Sequence, residues 1–124
     1  MIESYVYIGL KTGPRHGFYV KSGKSNNPQK RMIAYFTHCP GGLLSMYAAP
    51  CASPSVAFAT ETRLFAEIGA IDGTYHAGGE WFFVPGDVLH RVFDAFTEVV
   101  GTPERVSSPR ESFRTTEFVD CELG

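Results

Sequence analysis

Phe18-Tyr-Val-Lys-Ser-Gly-Lys-Ser-Asn-Asn-Pro-Gln-Lys-Arg31 decides how the chain is read. Phe18, Tyr19 and Val20 are aromatic or β-branched, which suits a pleated, half-buried strand. Gly23 predicts a turn carrying Lys24. Asn27 followed by Pro28 predicts a helix start: an N-cap side chain, then a residue whose missing N–H costs nothing in the first turn. Arg31 and Tyr35 stand four apart and share one helix face. A strand, a glycine turn with a lysine, and a helix presenting a guanidinium and a phenol are suited to gripping a phosphate. Short glycine turns between strand and helix are common, so the turn alone is only moderately specific.

Upstream, Tyr5 to Lys11 reads as a strand, and the Thr12–Gly17 stretch is dense in turn residues, so Phe18–Ser22 would close a hairpin. Pairing of the two strands could bring Tyr7 and Lys21 together, although sequence leaves the register open. Downstream, the first helix is expected from Pro28 to about His38, ended by Cys39-Pro-Gly-Gly42. Leu43–Ala49 is expected as a strand closed by Pro50. Ser53-Pro54 repeats the cap-then-proline start and opens a helix to about Gly69. Asp72–Gly79 is expected as a loop, Glu80–Val84 as a short apolar strand, and Pro85-Gly-Asp as the start of a third helix. Its stripe is Leu89, Val92, Phe93, Phe96 and Val100, with Gly101 as its stop. Thr102–Arg114, rich in Ser, Pro, Arg and Glu, reads as a linker or surface loop, and Phe118-Val119 regains strand character. The expected architecture is α/β: a small mixed or antiparallel sheet of three or more strands flanked by helices. Residues 1–101 form the domain, and 102–124 form an extension, linker or edge strand packed on it.

One residue breaks the pattern of the second helix. Ala57, Leu64, Phe65 and Ile68 lie at i−4, i+3, i+4 and i+7 from Glu61, placing Glu61 inside the apolar stripe, while Thr60, Arg63 and Glu67 make the solvent face. A carboxylate on a buried stripe costs several kcal/mol unless it is paired or binds a cation. The competing reading is a partly exposed carboxylate paired with Lys or Arg.

Composition narrows the partners. A chain of 124 residues fits one domain, and 44% apolar residues supply a sizeable core. A net charge of −2 with no basic tail argues against tight, nonspecific binding of bulk duplex DNA. The basic residues that could meet DNA, Lys11, Arg15, Lys21, Lys24, Lys30 and Arg31, gather in the amino-terminal part. Three dispersed cysteines, Cys39, Cys51 and Cys121, form no Cys-x-x-Cys pair, so neither a zinc knuckle nor a disulfide framework is indicated and a reducing, cytoplasmic setting is the default. His16, His38, His76 and His90 have no metal-ligand spacing. No signal peptide is visible, no segment approaches the roughly 20 apolar residues of a membrane span, and no organic cofactor is expected.

Tyr5-Val-Tyr7, Lys21-Ser-Gly23, Arg31, Tyr35, Glu61 and Gly79-Glu-Trp-Phe82, in this order and spacing, resemble the GIY-YIG endonuclease superfamily. The likeness covers about residues 4–97 and is greatest to the branch, common in phages, with a Lys-Ile-Gly second motif and a Glu-Trp-Phe element. It implies a DNA endonuclease using one divalent cation, Mg²⁺ or Mn²⁺. Tyr7 matches the tyrosine of the first motif, Arg31 the arginine that stabilises charge on the phosphate, Lys24 a basic position after the glycine, Tyr35 an aromatic or histidine position, and Glu61 the metal glutamate. Lys24 and Lys30 are the expected nucleic-acid contacts. The sequence departs at two places: Lys21 stands where the second motif usually has a tyrosine, and Tyr5 where the first has glycine. Lys21 could accept a proton only with a depressed pKa. The alternative implied is an inactive nucleic-acid- or protein-binding module of phage or mobile-element origin. Glu80 reads as structural beside the core residues Trp81, Phe82 and Phe83. The oligomeric state is left open.

Overall fold

A computed structural model describes residues 4–38 and 45–107. The first two strands, β1 (Ser4–Thr12) and β2 (Phe18–Ser25), form an antiparallel hairpin. Helix α1 (Pro28–His38) follows β2 after two residues. Strand β3 (Ser45–Cys51) returns beside β1, then come α2 (Pro54–Gly69), the hairpin β4 (Tyr75–Gly78) and β5 (Trp81–Val84), a single 3-10 turn at Gly86–Val88, and α3 (Leu89–Val99). A two-residue strand β6 (Glu104–Arg105) completes a six-stranded sheet in the order β4-β5-β2-β1-β3-β6, antiparallel at every pairing. The chain is therefore α/β, with three α-helices on this sheet.

Helices cover both faces. Val6, Ile8 and Leu10 of β1 and Val20 of β2 meet Ala57, Leu64 and Ile68 of α2 and Val92 and Phe96 of α3 in one core. On the opposite face Tyr7, Met46 and Ala48 pack with Met32 of α1. This two-sided cover explains why β1 reads as an almost unbroken apolar run rather than as alternation. Among the described residues, no helix is long and apolar enough to cross a membrane.

The helix starts follow the caps read from sequence. The Asn27 side-chain oxygen accepts from the Lys30 backbone N–H at 3.0 Å, and Ser53 Oγ accepts from the Val56 N–H at 3.2 Å. Each satisfies an otherwise orphaned donor of the first turn.

Several expectations are corrected. Gly23 is not a turn: β2 runs on through it to Ser25, and the chain turns at Asn26-Asn27 instead. The reason is the partner strand, since β1 continues pairing as far as Tyr5↔Ser25. Lys24 accordingly sits on a strand. Pro50 does not close β3, which continues to Cys51; Pro50 is exposed, and it pairs with Tyr5. Asp72–Gly79 is not all loop. Its second half forms β4, whose residues are exposed but whose Tyr75 and His76 rings lie 5.3 and 5.5 Å from Phe83 and Phe82 across the pair. Gly79, at φ 56°, supplies the left-handed residue of the two-residue turn that follows. Pro85 opens a 3-10 turn before the α-helix begins at Leu89. Beyond Gly101, β6 pairs with Tyr47-Ala48, and the Val106 N–H donates to the Met46 carbonyl at 2.8 Å. The end of the first helix at Cys39-Pro-Gly-Gly42, the start of the next strand at Leu43, and the strand character at Phe118-Val119 lie outside the described residues.

Candidate functional site

The site exists because two strands differ in length. β5 pairs with β2 only from Phe18↔Val84 to Lys21↔Trp81, so Ser22–Ser25 have β1 on one side and no strand on the other. The sheet is notched there, and side chains from its two faces meet around the exposed edge. By the period-2 rule Lys21 and Gly23 point to the α1 face, with Tyr7 paired to Gly23, while Lys24 points to the α2 face. α1 adds Arg31, α2 adds Phe58 and Glu61, and the β4–β5 turn adds Glu80. These eight residues line one open cleft of about 300 Å³, large enough for a phosphodiester with its immediate neighbours.

Of the residues expected from sequence, the cleft gathers Tyr7, Lys21, Lys24, Arg31 and Glu61. Lys30 is exposed on α1 and is not part of the lining. The backbone of α1 runs through Tyr35, whose side chain lies outside the described residues. Tyr7 and Lys21 are not directly opposite; Tyr7 faces Gly23, and Lys21 is its diagonal neighbour two residues along, within reach of long side chains.

Gly23 is needed for what it lacks. A Cβ built there would lie 2.5 Å from both Cζ and the hydroxyl oxygen of Tyr7. The phenol therefore crosses the space that a side chain would fill, which is how a residue only 2% exposed still lines the cleft. Met32, Met46 and Ala48 pack against Tyr7, so its ring has little room to give way. Gly23→Ala should cost about 1–3 kcal/mol of stability, the range for overpacking a core, read as a lowered denaturant midpoint. An unchanged midpoint would show that Tyr7 moves freely.

Charge is paired across the notch. Lys21 Nζ forms an ion pair with Glu80 Oε1 and lies 5.9 Å from the Trp81 ring centroid. Glu80 also lines the cleft, a place its reading beside Trp81 did not give: as the second residue of the Gly79-Glu80 turn it stands where β5 begins. Sequence could have shown this only with the β2–β5 register in hand. Glu61 is half-buried, and its carboxyl is pushed above the ordinary glutamate range. Burial is the main cause and the Glu80 charge the next, opposed by Lys24 and Lys21. Phe58, also absent from the sequence reading, is 61% exposed on the rim.

Glu61 and Glu80 line one cleft, and the Glu80 charge helps raise the Glu61 pKa; a cation placed near both carboxylates would relieve that repulsion. Among the described residues no group of three or more His, Cys, Asp or Glu could hold a metal. Glu61 and Glu80 are the cleft residues that could hold a hard ion of the kind that keeps most of its waters and takes one or two carboxylates, as Mg²⁺ does.

Comparison with family models, curated proteins and solved structures gives no match to this chain.

Proposed function

We propose that this chain is a metal-dependent endonuclease of the GIY-YIG type, hydrolysing DNA phosphodiester bonds in the notch beside β2. The observation that carries this reading is the convergence of Tyr7, Lys24, Arg31 and Glu61, from both faces of one sheet, on a single cleft. In this reading Arg31 donates its forked N–H groups to the non-bridging phosphate oxygens, where charge develops in the transition state. Lys24 holds a neighbouring phosphate. Glu61, with Glu80 beside it, would hold one Mg²⁺ or Mn²⁺. When bound, such an ion supplies charge stabilisation to the reacting phosphate and the departing oxygen. Lys21, paired with Glu80, donates to that carboxylate, and the Tyr7 phenol would orient the attacking water or a phosphate oxygen through a hydrogen bond.

The same ion pair is the specific observation behind a second reading. A chain with Lys21 in place of the motif tyrosine, tied to Glu80, suits a module that grips nucleic acid or a protein without cleaving. The two readings separate when supercoiled plasmid and circular single-stranded DNA are incubated with purified protein in Mg²⁺, Mn²⁺ or EDTA. The nuclease reading expects nicked or linear product with metal and none in EDTA; no product in any condition overturns it.

DNA is expected to approach along β2 and the start of α1. Removing the charges of Lys24 and Lys30 together (Lys24→Gln, Lys30→Gln) should flatten the plot of log affinity against log salt by about 1–2 units, since each phosphate contact contributes about 0.7–0.9. An unchanged slope would place the DNA elsewhere.

A further inference from the structure

Phe58 carries an inference that rests on, and sharpens, the nuclease reading. On α2 it stands three residues before Glu61 and seven before Phe65, on the flank of the apolar stripe that faces the notch. The two aromatics of this flank have different surroundings. Phe65 is covered by the β4–β5 hairpin, its ring 4.8 Å from that of Phe82 and 6.0 Å from that of His76. Phe58, two helical turns earlier, lines the cleft beside Gly23 and Lys24, in the part of β2 that β5 does not pair. It is 61% exposed, and Lys24 Nζ lies 5.9 Å from its ring centroid. Phe58 thus presents most of its ring to solvent at the mouth of a cleft lined largely by charged side chains.

We propose that Phe58 is a stacking platform for an unpaired nucleobase next to the phosphate held by Arg31 and Lys24. The preferred substrate is therefore DNA that is single-stranded at the cleft. Strands without a partner are bound by grooves that combine cations for the backbone with aromatic rings for the bases, and stacking is tolerant of sequence because every base has a π-face. Here the ring, one lysine and one guanidinium share one opening of about 300 Å³. A base in an intact duplex is stacked on both sides and cannot use the ring without leaving the helix, which costs a few kcal/mol. The discrimination thus comes from stacking and not from contacts to base edges.

The test measures binding in EDTA, where cleavage cannot contribute, using a fluorescently labelled single-stranded oligonucleotide and the duplex of the same sequence. Phe58→Ala should weaken single-strand binding by about tenfold or more, the loss of one stacked base, and duplex binding less than about twofold. Phe58→Trp should retain or improve single-strand affinity. A 2-aminopurine in the oligonucleotide should be quenched on binding wild type and Phe58→Trp but not Phe58→Ala. Because Phe58 is exposed, Phe58→Ala should unfold at the wild-type temperature. Equal losses on both DNA forms, or no loss on either, would overturn the proposal. Should wild type never cleave yet show the Phe58 dependence, the nuclease reading falls and this inference stands. Should wild type cleave while Phe58→Ala binds both forms normally, this inference falls alone.

Discussion

Replacing Arg31 by alanine is expected to slow DNA cleavage by about 10²-fold or more while DNA affinity falls far less. Losing one preorganised donor to a developing oxyanion costs on this scale, because only interactions stronger in the transition state than in the ground state accelerate chemistry. Arg31 is well placed for such a role. It lies in the first turn of α1, its own backbone N–H donating to the Asn27 carbonyl at 3.1 Å, and the N-terminal end of a helix already favours anions. Its side chain is exposed, so the substitution should leave folding intact, and a change in cleavage can be assigned to the site. Arg31→Lys should rescue poorly, since an ammonium is a point charge and cannot reproduce the two parallel N–H donors of the fork. A variant that lost affinity and cleavage in proportion would mark Arg31 as a phosphate grip, favouring the binding-module reading.

Glu61→Gln is the second large effect, and it should act in opposite directions on activity and stability. Metal-supported cleavage should fall by about 10²-fold or more, in line with removal of a group that stabilises transition-state charge, and Mn²⁺ binding by calorimetry should be lost. Without metal, the same variant should be at least as stable as wild type near neutral pH. The sign follows from the raised pKa of Glu61, caused by burial first and by Glu80 second. A carboxyl that holds its proton more tightly in the folded state than in the unfolded state costs nothing at pH values below its unfolded pKa. As pH rises from there through the raised folded pKa, ionisation destabilises the native state, and glutamine is spared this. Lys24 and Lys21 act against the shift, so Lys24→Gln should enlarge it. Cation affinity should decline with acidification already above the ordinary glutamate range, because the ion competes with the proton. A Glu61→Gln protein less stable than wild type at neutral pH without metal would show that Glu61 instead serves as a structural partner of the lysines.

Local signals in the sequence were read correctly where the physics is local. Asn27-Pro28 and Ser53-Pro54 start helices because a side-chain acceptor and a fixed φ act within four residues. Glu61 stood out because helical periodicity alone put it on a stripe with Ala57, Leu64 and Ile68, all now buried. The rest depends on pairing between distant segments. Gly23 looked like a turn because glycine is the usual turn residue. What decided its place was a strand pairing that sequence leaves open, with the glycine accommodating the Tyr7 ring rather than a bend. β4 has no buried residue to betray it and is held by ring contacts to a strand that follows it. Glu80 and Phe58 became visible as cleft residues only with the notch, which arises from the length of β5 against β2, some 60 residues apart in the chain.

In the proposed mechanism α1 and α2, on opposite faces of the sheet, act on one phosphate at its notched edge. Single-turnover cleavage of end-labelled DNA in Mg²⁺, with protein in saturating excess, separates binding from chemistry and tests it most directly. Wild type should convert the DNA to discrete products. Arg31→Ala and Glu61→Gln should each be at least about 100-fold slower although both bind the DNA, and the double variant should be little worse than either alone, as for residues that act as a unit. Absence of product from wild type, or cleavage by both single variants at the wild-type rate, would contradict it.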